Sequence, residues 1–170
     1  MIIAAFLLGD VPCAGIDQNL PREIAGWTSE AGGAMVPGRP VVLTTFDKPV
    51  PPEKLGFPLS VRFARTAFEI SKTGRYRIAL PHWARIDLIS PNGMLMTAIE
   101  NEKDWGYGCS TIEQMQSFDL KPGRYDLTLS SLVGPTITVM LVAARSCHLP
   151  RTQDEGVPGE DAITTCTAGQ

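Results

Sequence analysis

From residue 60 onward, hydrophobic and polar positions alternate in short runs. SVRFA, FEIS, YRIAL, ARIDLIS, MLMTAI, EQMQSFDL, YDLTLS and TITVMLVA follow one another, separated by KTG, PHW, PNG, a glycine-rich stretch, KPG and VGP. Alternation with a period of two is the mark of a strand that buries one face. Strands of this length, evenly spaced and broken by Gly, Pro and Asn, predict an all-β, mainly antiparallel sandwich of about eight strands. VVLTT at 41–45 is β-branched and adds an earlier strand. FDKPVPPEKLGFP at 46–58 holds four prolines, each lacking a backbone donor, so it predicts a linker or an edge crossing. Residues 10–40 are rich in Gly and Pro, with one helical turn expected near Leu20–Ala25 because Pro21 suits a first helical position. The division that follows is an arm at 1–40, a sandwich at 41–147 and a tail at 148–170.

One phrase is written twice. FEISKTGRYRIAL covers 68–80 and FDLKPGRYDLTL covers 118–129. In each, an aromatic and an aliphatic residue (Phe68 and Ile70, Phe118 and Leu120) share a face. A polar turn with Gly-Arg-Tyr follows, and then Tyr76, Ile78 and Leu80, or Tyr125, Leu127 and Leu129, share a face again. Each copy reads as a hairpin corner, with Gly74 and Gly123 in the turn and a tyrosine that buries its ring while its hydroxyl finds a polar partner. Arg75 and Arg124 read as solvated turn residues. Asn92-Gly93 between two alternating runs predicts a further hairpin pairing 84–90 with 94–99, since both turn residues tolerate positive φ.

Composition bounds the rest. A chain of 170 residues, 44% hydrophobic, suits one domain with one core. The net charge of -3 and the lack of any Lys/Arg block argue against nucleic acid as a partner. MIIAAFLLG at 1–9 falls short of the roughly 20 apolar residues of a membrane span. It reads as the apolar region of a secretory signal peptide without its basic start, or as an apolar arm packed on the domain. Cys13, Cys109, Cys147 and Cys166 are even in number and contain no Cys-x-x-Cys. With an export-like start they predict disulfide bonds. Of the three pairings, Cys13–Cys109 with Cys147–Cys166 is preferred, because it ties the arm to a loop and staples the Pro/Gly/Thr-rich tail.

Candidate chemistry is sparse. The longest irregular stretch of the β region is NEKDWGYGCS at 101–110. Trp105 and Tyr107 could stack a sugar, which makes carbohydrate the candidate ligand, with Glu102 and Asp104 beside them. No EF-hand spacing supports calcium. Cys109 would need a histidine base to act as a nucleophile. The two histidines, His82 and His148, fall in a turn and beside Cys147. No Gly-x-Ser-x-Gly and no His-x-x-x-His is present. No catalytic residue, metal site or cofactor is therefore assigned. Asp87 shares its strand face with Arg85 and Ile89 and reads as a solvated or ion-paired residue. Met94, Met96, Met115 and Met140 read as core filler.

The stretches ARIDLIS, PNG, CSTIEQ, SFDLKPGRYDLTLSS and TITVMLV, with FEISKTGRYRIAL, resemble a family of small exported bacterial proteins. More broadly, the repeated phrase resembles the jelly-roll-like accessory domains of secreted bacterial enzymes. The resemblance covers roughly half of the chain and implies a jelly-roll-like sandwich. Some members of the family are labelled homogentisate dioxygenase. That chemistry needs an iron site of His and carboxylates, and where members carry histidines before the Cys-Ser this chain has Lys103 and Trp105. The activity is not carried over. The expectation is a non-catalytic, exported, periplasmic accessory subunit with a protein partner in the envelope. The alternative is a carbohydrate-type binding module that uses the 101–110 loop.

Overall fold

The computed structural model describes residues 15–18, 20–50, 59–103 and 109–144. These form nine strands: β1 Pro40–Thr44, β2 Phe46–Val50, β3 Leu59–Ile70, β4 Gly74–Leu80, β5 Arg85–Ile89, β6 Glu100–Lys103, β7 Gln114–Leu120, β8 Gly123–Ser130 and β9 Thr136–Ala143. One sheet has five strands in the order β1-β9-β4-β7-β6, and the other has four in the order β2-β3-β8-β5. Every ladder between strands is antiparallel. The fold is an all-β sandwich. Its core is the inward set that the alternation marks out, including Phe68, Ile70, Tyr76, Ile78, Leu80, Leu88, Phe118, Leu120, Tyr125, Leu127 and Leu129.

The repeated phrase does not make hairpins. β3 and β4 lie in different sheets, and so do β7 and β8. Each copy is an arch that carries the chain from one sheet across to the other. The copies pair with each other instead. Phe68 lies opposite Tyr125 in the four-stranded sheet, and Tyr76 lies opposite Phe118 in the five-stranded sheet. A two-stranded ribbon, β3–β4 against β7–β8, thus bends across the core as in a jelly roll. One-sided burial is met equally by a hairpin and by an arch. What selects the arch is the long-range pairing of the two copies, β3 with β8 and β4 with β7. The tyrosines behave alike. Tyr76 donates its hydroxyl to the Lys72 carbonyl at 2.9 Å, and Tyr125 donates to the Lys121 carbonyl at 3.0 Å. Both are the backward hydrogen bond of a tyrosine corner.

Other expectations are adjusted in smaller ways. A turn forms here, but over Pro91–Gly93 rather than Asn92-Gly93 alone: Gly93 takes φ +79° and donates its N–H to Ser90 O at 2.9 Å, while Asn92 does not adopt a positive φ. The returning segment, however, pairs with β5 through one bridge only, Ile89 to Leu95, before it leaves for the other sheet. The proline-rich stretch begins with an edge strand, β2, and residues 51–58 lie outside the described residues. Thr45 makes the corner between sheets, donating its N–H to Pro135 O and its hydroxyl to Gly134 O. Within the core, Gln114 is fully buried and its Oε1 accepts the Ala84 N–H at 2.7 Å.

Residues 20–41 are intramolecular packing. The helical turn falls slightly later than expected, as a 3-10 turn at Ala25–Thr28. Ile24 and Trp27 lie with Ala79, Ile112, Met115, Met140 and Val142 in a second apolar cluster. Ala79, Met115, Met140 and Val142 point to the outer side of the five-stranded sheet, opposite the core residues that alternate with them. The arm therefore covers part of that outer face, while Val42 and Asp119 on the same side stay exposed. Arg77, on the same face, donates to Glu23 at 3.2 Å. Among the described residues no helix is long and apolar enough to cross a membrane.

Candidate functional site

The loop singled out from the sequence is only partly described. Asp104, Trp105 and Tyr107 lie outside the described residues. Glu102 is not in a loop but in β6, opposite Met115. Aliphatic content gives no sign of this short strand, which is held by its neighbour β7.

The end of the loop is well defined, and it is held by a residue that the sequence does not mark. The Asp17 carboxylate accepts hydrogen bonds from the Ser110 hydroxyl at 2.7 Å, the Thr111 N–H at 2.9 Å and the Thr111 hydroxyl at 2.5 Å. The Asp17 N–H donates to Cys109 O at 2.9 Å. Trp27 donates its indole N–H to Thr111 Oγ1 at 2.8 Å. Partial burial pushes the Asp17 carboxyl up, but the Thr111 and Ser110 hydrogen bonds outweigh it and hold its pKa below the ordinary 3.8. Asp17 adopts a left-handed φ of 60°, which aspartate tolerates better than most residues. A lone acid in a Gly/Pro-rich arm carries no pattern, and its partners are more than 90 residues away.

Cys109 is disulfide-bonded and has no free thiol. Cys13, Cys147, His148 and Cys166 lie outside the described residues. His82 Nδ1 lies 3.3 Å from Trp83 O. Among the described residues, no group of three or more His, Cys, Asp or Glu side chains could hold a metal ion.

The outer face of the four-stranded sheet contrasts with its covered counterpart. Phe46 and Phe63 are cross-strand neighbours whose rings stack at 6.0 Å between centroids and 20° between planes. The Arg65 guanidinium lies over Phe46, 5.9 Å from the ring centroid. Arg85 and Asp87 pair at 3.1 Å along β5, which realises the shared face read from the sequence. Lys48, Glu69, Arg124 and Asp126 complete the face, exposed and without an ion pair among the described residues. On the covered face, by contrast, Arg75 pairs with Glu100 and Asp119, and Arg77 pairs with Glu23. At one rim the bidentate Arg62–Asp47 pair, at 3.0 and 3.1 Å, holds the Asp47 carboxyl below its usual range. Two adjacent aromatics with a cation over one of them can stack a flat or apolar group while nearby charges set its orientation. The sequence gives little warning of this face. Phe46 precedes a proline-rich stretch, and its pairing with Phe63 depends on register.

Comparison with known proteins returns nothing similar: no family model, no curated protein and no solved structure matches the chain.

Proposed function

We propose that this chain is a non-catalytic, exported accessory subunit that docks on a larger protein of the cell envelope, in the periplasm. The outer face of the four-stranded sheet would be its docking surface. The observation that carries the reading is the asymmetry of the two outer faces. One is covered in part by the chain's own arm, which lays Ile24 and Trp27 over Ala79, Met115, Met140 and Val142, and its Arg75 and Arg77 are paired within the molecule. The other presents the Phe46–Phe63 pair, with Phe46 45% exposed, beside the Arg85–Asp87 pair and beside Lys48, Glu69, Arg124 and Asp126, which form no ion pair among the described residues. Interface cores favour aromatic and Arg residues surrounded by polar rims. The resemblance to exported accessory domains points the same way. The Asp17–Cys109 hydrogen bond places the arm beside the loop, which supports the Cys13–Cys109 pairing.

The test is a native pull-down from the envelope fraction with the wild-type chain and with Phe46→Ser and Arg65→Ala. A stoichiometric partner held by the wild type and lost by both variants, with their thermal unfolding unchanged, is the expected outcome. Recovery of the chain alone, or a partner held equally by the variants, would remove this face from the proposal. Glycan retention that survives Phe46→Ser and is lost in Trp105→Ala would favour the carbohydrate-binding module instead.

A further inference from the structure

A sandwich has four sheet edges, and each presents unpaired N–H and C=O groups that can recruit another strand. Three of the edges here are blunted. Gly32 runs beside β1, donating its N–H to Pro40 O at 2.8 Å. β2 carries Lys48 and Pro49. β6 reads Glu-Asn-Glu-Lys.

The fourth edge is different. Beside β5 the rim of the four-stranded sheet is Met94–Ala98, held through the Ile89–Leu95 bridge, Ser90 N–H to Met94 O and Met96 N–H to Leu88 O. By the alternation of antiparallel bonding, Met94 and Met96 direct their backbone groups at β5, and Leu95 and Thr97 direct theirs outward. The side chains of Met96 and Ala98 pack on the core. Met94 is 62% exposed and Leu95 59%. The stretch MLMTAI, 94–99, contains no charge, no proline and no glycine. It has none of the devices that protect the other edges.

We infer that Met94–Ala98 is a self-association edge, to which a second copy of this chain adds its own Met94–Ala98 in antiparallel pairing about a two-fold axis. The segment is its own complement, because an uncharged apolar edge meets an identical one without repulsion. With Met96 on the axis, Leu95 of each copy faces Thr97 of the other, and the outward groups form about four backbone hydrogen bonds. Residues 94–98 carry no charge, so no like charges oppose across this register. Two-fold pairing closes on itself and gives a dimer rather than a fibre. It joins the two four-stranded sheets into one continuous sheet and sets their outer faces side by side.

Sedimentation velocity of the intact chain across the micromolar range tests the inference. The expected result is a concentration-dependent monomer–dimer equilibrium. Leu95→Lys places a charge on the edge, and Thr97→Pro removes an outward donor. Each should weaken dimerisation at least about tenfold. Val133→Lys, at an apolar site 77% exposed in another loop, should leave it unchanged. Amide exchange should show Leu95 and Thr97 gaining protection as concentration rises, a readout independent of either variant. A monomer at every concentration, a dimer indifferent to both edge variants, or open-ended oligomers would each overturn the inference.

Discussion

Asp17 gathers the hydroxyls of Ser110 and Thr111 and the Thr111 N–H onto one carboxylate, and Trp27 completes the clasp through Thr111. The consequence is a pH dependence of definite sign. Burial raises the Asp17 pKa, the hydrogen bonds lower it by more, and the net folded value is depressed below 3.8. The clasp therefore contributes fully above that value and is lost as pH falls through the lower folded pKa. The Trp27 indole N–H resonance should shift in this acid window, and Asp17→Asn should abolish the step. An unchanged titration in that variant would assign the transition to another group. At neutral pH, Asp17→Ala should cost on the order of 1 kcal/mol in urea unfolding, the partial exposure keeping it modest. None of this is legible in the sequence, where Asp17 is an isolated acid and Ser110 and Thr111 follow a cysteine. The Arg85–Asp87 pair is legible, because both residues lie on one strand and the period of two places them together.

At the scale of elements, the twice-written phrase becomes two arches that are chemically alike but sterically different. Tyr76→Phe removes one hydrogen bond and should cost about 1 kcal/mol in equilibrium unfolding. Tyr125→Phe should cost more, because its hydroxyl also accepts the Lys121 N–H at 3.0 Å. Equal losses would show that this second bond contributes nothing. The glycines differ more sharply. Gly123 has φ +144°, and a Cβ there would meet Pro91 Cγ at 2.5 Å. Gly74 is not in the left-handed region, and a Cβ would meet only the Tyr76 ring, at 3.7 Å. Gly74→Ala should fold with little loss, whereas Gly123→Ala should lower stability by about 2 kcal/mol or more through backbone strain and displacement of Pro91. Matching losses in the two variants would contradict this account. The sequence marks both glycines as turn residues. Pro91 belongs to a different turn, so only packing shows which glycine is irreplaceable.

At the scale of the whole molecule, the outer faces and edges decide what the chain can meet. An exposed aromatic pair on one outer face, an opposite face partly covered by the arm, and an edge segment with no further strand beside it among the described residues are the features on which the two proposals rest. The pull-down and sedimentation outcomes given above are independent, since Phe46 lies on β2 and Leu95 lies beyond β5 at the other margin of the sheet. The sequence alone determined the β class, the inward residues and the turns at Asn92-Gly93 and the two Gly-Arg-Tyr corners. These follow from local alternation and from the backbone freedom of single residues, which neighbours in the chain suffice to express. The tertiary structure decided that the corners are arches rather than hairpins, that Asp17 clasps residues 110 and 111, that Phe46 meets Phe63 and that Leu95 bridges Ile89 at the margin of the four-stranded sheet. Each of these depends on strand register and sheet assignment across long separations. Such choices are set by the shared burial of the whole core, and no local pattern encodes them.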